Sequence, residues 1–127
     1  MNKFTMKGLF WNIRGLGKNS RVGQLKELIT KEQLDIVGIK ETIEQEFTEK
    51  DLVCLNPGGG FVWDWIPAKG HFGGILLGIK DDVLEVESWE KGEFFLGATI
   101  RNKLTNFRWN ICSLWACPAC TFPFFHS

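Results

Sequence analysis

Two short apolar runs, each ending in a polar hook and separated by one helical repeat, constrain this chain more than anything else in it. The first run is Leu9-Phe10-Trp11, which ends in Asn12-Ile13-Arg14-Gly15. The second is Ile36-Val37-Gly38-Ile39, which ends in Lys40-Glu41-Thr42. Apolar runs of this length suit strands buried on both faces of a parallel sheet. Between them, Val22, Leu25, Leu28 and Ile29 recur at three- and four-residue spacing, the signature of one apolar helix face. Ser20 is a candidate N-cap for a helix running to about Glu32. Glycines in the Arg14–Asn19 stretch supply the freedom of a loop. The first 41 residues therefore read as one βαβ unit.

That unit has a chemical consequence. A strand–helix–strand crossover brings the chain back in the same direction. Asn12 and Glu41 then emerge at one edge, the carboxyl end of the strands, where such sheets place ligand sites. An amide oxygen and a carboxylate at one rim form a hard donor set suited to Mg²⁺, which keeps several of its waters. Asn12 and Glu41 are the candidate catalytic and metal-holding residues. Arg14, Lys18 and Arg21 lie near the same rim and are candidates for phosphate contact. The same spacing also fits a plainer arrangement, with Asn12 capping a loop, Glu41 a solvated strand end and the three cations a solvated basic loop.

Beyond Glu41 the pattern changes. Residues 42–48 are polar and read as a loop, and Glu49 to Leu52 as a helical turn. Glu44, Glu46 and Glu49 are expected to be solvated. Asn56-Pro57-Gly58-Gly59-Gly60 is a strong turn. No Lys-Ser or Lys-Thr follows the glycines, so they do not form a phosphate loop. From Phe61 the period moves towards two, and five strands are predicted: Phe61–Ile66, Gly74–Ile79, Val83–Trp89, Phe94–Arg101 and Thr105–Ile111. Their spacing suggests an antiparallel meander. Trp63 and Trp65 fall on one face and read as packing rather than base stacking. A lone histidine in a glycine loop, His71, is not assigned as a general base.

Charge and cysteines exclude some classes. Lysine plus arginine and aspartate plus glutamate both number 15, so composition gives no basic nucleic-acid surface and no acidic tail. A metal-dependent nuclease does not need one, because the ion can face the phosphate. The sequence shows no signal peptide and no membrane helix, so the four cysteines are expected to be thiols.

The segments Phe10-Trp11-Asn12-Ile13-Arg14-Gly15-Leu16-Gly17 and Asp35-Ile36-Val37-Gly38-Ile39-Lys40-Glu41-Thr42 resemble the endonuclease/exonuclease/phosphatase superfamily. More narrowly, they resemble the endonuclease domain of plant LINE-type retrotransposons. Trp63 to Ala68, Gly73-Gly74-Ile75-Leu76 and Glu93-Phe94 also fit, and the resemblance covers roughly residues 7–111. It implies an α/β fold, the N-terminal part of a four-layer αββα sandwich of the DNase I-like type. It implies phosphodiester hydrolysis with Mg²⁺ or Mn²⁺, with Asn12 and Glu41 helping to hold the ion, DNA as the partner and the nucleus as the compartment. The family's further motifs are a Tyr-Gly-Pro, an Asp-x-Asn and a Ser-Asp-His, and none of them is found here. There is no tyrosine in the chain.

The break falls after Ile111. Cys112-Ser113-Leu114-Trp115-Ala116-Cys117-Pro118 can be written in codons as TGC AGT CTA TGG GCC TGC CCA. Read one base later, these give Ala-Val-Tyr-Gly-Pro-Ala, the expected motif. Residues 1–111 are thus expected to be the N-terminal part of the domain, and 112–127 a Cys/Phe-rich tail that a frameshift would explain. On this reading Cys117-Pro118-Ala119-Cys120 is an accidental C-x-x-C rather than a redox or zinc motif. The expected protein is a catalytically incomplete phosphodiesterase fragment that holds an ion weakly. A different phosphohydrolase of the superfamily, and a non-enzymatic interaction protein keeping part of the fold, remain alternatives.

Overall fold

A computed structural model describes residues 6–17 and 20–114. In chain order the elements are β1 (Gly8–Asn12), α1 (Arg21–Lys31), β2 (Ile36–Lys40), α2 (Glu49–Leu55), β3 (Phe61–Ile66), β4 (Ile75–Lys80), β5 (Leu84–Lys91), β6 (Phe95–Asn102) and β7 (Arg108–Leu114). β1 and β2 pair in parallel, as the crossover requires. β1 begins at Gly8. The Lys7 amide donates to the buried Asp35 carboxylate at 3.0 Å, and the chain enters the sheet only after it. The helix-breaking turn at Asn56-Pro57 holds α2 to seven residues. α2 is still longer than a single turn, because Thr48 and Asp51 form a reciprocal capping box at its start.

The five later strands do not form one meander. They divide between two sheets, ordered β1-β2-β4-β3 and β5-β6-β7. β4 is the reason. Every residue from Ile75 to Ile79 is buried, so β4 cannot sit at an edge and lies antiparallel between β2 and β3. The chain then turns through Asp81-Asp82 into the second sheet, and only β5, β6 and β7 make a true meander. β7 begins at Arg108 rather than Thr105. The Asn102 side chain accepts from the Leu104 and Thr105 amides at 2.8 and 3.2 Å, which keeps those residues in the turn.

Three layers result. Leu25 and Ile29 of α1 and Leu55 of α2 pack with Val37, Ile39 and Leu76 on one face of the first sheet. Ile36, Ile75, Leu77 and Ile79 on its other face meet Leu84, Leu96, Ala98, Ile100 and Ile111 of the second. The outer face of the second sheet is polar. There Arg101 binds Glu85 at 2.6 Å, Arg108 binds Glu87 at 2.8 Å and Thr99 binds Asn110 at 2.8 Å. Both described helices lie on the first sheet, so this is an αββ part of the four-layer sandwich. Trp63 and Trp65 pack against the helix-side core, as packing residues. No described helix is long and apolar enough to cross a membrane.

Two strand-interior glycines make the aromatic packing possible. Phe10 is the register partner of Gly38, and Trp63 that of Gly78. A Cβ at Gly38 would lie 2.3 Å from the Phe10 ring, and one at Gly78 2.4 Å from the Trp63 ring. Each ring therefore lies across the glycine beside it. Gly38→Ala is expected to destabilise the fold by about 1–3 kcal/mol through overpacking. A lowered urea midpoint with an unchanged slope checks this; an unchanged midpoint contradicts it.

Candidate metal centre

The site is assembled by the parallel register. Asn12 is the Cα partner of Lys40, so Glu41 follows one step later on the adjacent strand, at a strand spacing of about 4.8 Å. The pairing continues past the strand ends. Ile13 N donates to Lys40 O at 3.0 Å, Gly15 N to Glu41 O at 2.8 Å and Leu16 N to Thr42 O at 2.9 Å. Asn12 is exposed and Glu41 half-buried at this rim. The backbones of Asn12 and Glu41 thus lie at neighbouring strand ends.

The third contributor is β4. Thr42 N donates to Gly74 O at 3.1 Å and Ile43 N to Gly73 O at 2.9 Å. A Cβ on Gly74 would stand 2.3 Å from Thr42 Oγ1, and its φ is +94°, so only glycine fits. Thr42 itself is fully buried.

The backbone is strained at the same place. Arg14, Glu41 and Ile43 have φ of 54°, 54° and 58°, in the left-handed region. Such residues cost about 1–3 kcal/mol each and collect at functional sites. For a β-branched residue such as Ile43 this conformation is a genuine outlier. Of the five described non-glycine residues with positive φ, the other two are Gln33 and Asn106, which lie after α1 and in the β6–β7 turn. Three of the five are thus Glu41 itself and residues two positions from Asn12 or Glu41.

The basic candidates separate. Arg14 is exposed beside Asn12, where a phosphate could reach it. Lys18 lies outside the described residues. Arg21 is not a free cation. Its Nη1 donates to the carbonyl oxygens of Ile13, Arg14 at 2.8 Å and Gly15 at 3.4 Å, so its placement serves the loop.

Glu44 is also placed differently from the expected solvated position. It is half-buried and lines a cleft of about 250 Å³ with Leu16, Phe47, Asp51 and Leu55. Burial first, then the nearby Asp51 charge, raise its carboxyl above the usual range. No spacing in the sequence signals this, because the contact depends on the fold of the 42–48 loop. Glu46 and Glu49 are exposed. His71 is exposed at the tip of a small hairpin closed by Lys69 and Phe72, whose amides and carbonyls pair at 2.9 and 3.1 Å. The Cys112 thiol is pushed up by burial and by Glu90, which disfavours the thiolate a metal would need. Cys117 and Cys120 lie outside the described residues.

Among the described residues no group of three or more His, Cys, Asp or Glu side chains could hold a metal. Mg²⁺ takes hard oxygen donors and needs only one or two from protein beside water and substrate phosphate. The Asn12 amide oxygen and the Glu41 carboxylate are donors of that type.

No family model matches the sequence, and no curated protein matches it. Solved structures do. The AP endonuclease LMAP of Leishmania major superposes with a TM-score of 0.60 at 17% identity, over 88% of this chain and 40% of that one. TDP2 of D. rerio, solved with a single-strand DNA product, gives 0.61 at 15% identity, over 90% of this chain and 48% of that one. The 3′ phosphatase NExo of Neisseria, bound to a product DNA hairpin, gives 0.55 at 17%, over 82% and 39%. This chain thus spans less than half the length of the structures it matches. The fold is the DNase I-like α/β sandwich of these structures, in part.

Glu44 provides a pH test of the cleft. Its folded value lies above the unfolded value of 4.5, so its contribution to stability is complete below pH 4.5 and is lost as pH rises through the folded value. Glu44→Gln is expected to match the wild type below that pH and to be the more stable protein at neutral pH. Urea midpoints measured on both sides of pH 4.5 check this, and a difference independent of pH contradicts it.

Proposed function

We propose that this chain is the metal-holding part of a divalent-cation-dependent phosphodiesterase that acts on DNA, of the retroelement endonuclease kind. The observation that supports the reading is the parallel pairing of Asn12 with Lys40, which sets Asn12 and Glu41 at neighbouring strand ends where the backbone turns left-handed. The Asn12 amide oxygen and the Glu41 carboxylate would hold Mg²⁺ or Mn²⁺, and Arg14 would face the phosphate from the adjoining loop. When bound, such an ion polarises a phosphoryl oxygen and stabilises the leaving oxyanion. The buried Thr42 and the Gly73-Gly74 turn keep Glu41 in place from the β4 side.

The retroelement assignment rests on the Trp11-Asn12-Ile13-Arg14-Gly15-Leu16-Gly17 opening. The AP endonuclease and the 3′ phosphatase among the structural matches support the wider class, and two of the matched proteins were solved with DNA products. A general base must also come from somewhere. The sequence has no Ser-Asp-His, no Asp-x-Asn and no tyrosine, so the reading gives this chain ion binding without turnover of its own.

Mn²⁺ binding followed by electron paramagnetic resonance tests this. Glu41→Ala is expected to weaken binding by at least about tenfold, and Asn12→Ala by less, as a charge outweighs an amide dipole at a metal. Equal affinity in wild type and Glu41→Ala would overturn the reading. Supercoiled DNA incubated with the chain and Mg²⁺ is expected to stay intact, and nicking abolished by Glu41→Ala would contradict the absence of turnover.

A further inference from the structure

We infer that Arg21 is a positioning residue for the metal rim, a clamp on the loop after β1 and not a contact to the phosphate. This inference rests on the proposed metal site. Three consecutive carbonyl oxygens, those of Ile13, Arg14 and Gly15, turn towards the single nitrogen Nη1 of Arg21. Consecutive carbonyls do not converge in an extended strand, where they alternate in direction. They converge here because Arg14 is left-handed at φ 54° and Gly15 comes next at φ 105°. The guanidinium thus stabilises the strained turn from its carbonyl side. From its amide side, Gly15 N and Leu16 N donate to Glu41 O and Thr42 O. The loop is held between Arg21 and the backbone of Glu41, and Asn12 is the residue at its root.

The start of α1 points the same way. Arg21 opens the helix, whose first turn carries no acidic residue, and Ser20 makes no side-chain cap hydrogen bond. A cation at a helix N-terminus opposes the helix dipole, and an uncapped start leaves amides without partners. The position is therefore poor for the helix and good for the loop. Local choices that conflict with the element carrying them mark functional positions. The half-buried setting of Arg21 agrees with a group aimed inward at carbonyls.

The test uses the full chain and Mn²⁺ as the probe. Arg21→Ala is expected to weaken Mn²⁺ binding by about 10- to 100-fold, as loss of an outer support does. Hydrogen exchange at the Gly15 and Leu16 amides should accelerate with it, and added ethylguanidinium should restore both. Arg21→Gln, which keeps a stem and one donor group, should fall between, and it serves in place of Arg21→Ala should that variant not fold. If Arg21 is instead a phosphate contact, these variants leave Mn²⁺ affinity and amide protection unchanged and lower only the affinity for a DNA oligonucleotide, which overturns the inference. If Glu41→Ala leaves wild-type Mn²⁺ binding unaltered, the metal site itself fails. That failure is separate, because amide exchange at Gly15 and Leu16 still reads the clamp directly.

Discussion

The parallel pairing of β1 with β2 is the constraint on which the site depends. It fixes Asn12 opposite Lys40 and so sets Glu41 one step beyond. A shift of one residue would turn every side chain of one strand to the other face, moving Leu9 and Trp11 out of the helix-side core. Register and core are thus one decision. The Asp35 carboxylate at the start of β2 reinforces it by accepting from the Lys7 amide, and Ile13, Gly15 and Leu16 extend it past the strand ends.

The core in turn lends stability to the rim. The apolar layers of the first sheet make β2 and β4 buried throughout their apolar residues. They hold three left-handed residues, Arg14, Glu41 and Ile43, in conformations that their side chains disfavour. The Gly73-Gly74 turn allows the backbone of β4 to approach Thr42, and Arg21 gathers the carbonyls of the opposite loop. A rim built this way presents an exposed amide and a half-buried carboxylate without enclosing them. It leaves room for the waters and phosphate that a hard cation keeps.

Much of this was legible in the sequence, for physical reasons. Asn12 and Glu41 could be brought to one edge because a βαβ crossover has one direction and one hand. β3 was bounded correctly at Phe61–Ile66 because alternation shows directly in its residues. The division of the later strands between two sheets was not read, because β4, an unbroken apolar run buried on both faces, was grouped with the alternating strands after it. Arg21 was read as a phosphate contact, because its three acceptors lie six to eight residues away and converge only through a left-handed turn at a non-glycine residue, which no short-range signal shows. Glu44 was missed similarly, because the irregular loop that half-buries it carries no period. Its cleft partner Asp51 was visible only as part of a capping box.

The central claim is that a divalent cation is held at this one rim. The most direct test is paramagnetic broadening of backbone amide signals by substoichiometric Mn²⁺. The expected result is broadening centred on residues 12–15, 41–43 and 73–74, and its disappearance in Glu41→Ala. Broadening centred instead on the acidic outer face of the second sheet, around Glu85, Glu87 and Glu90, would contradict the claim.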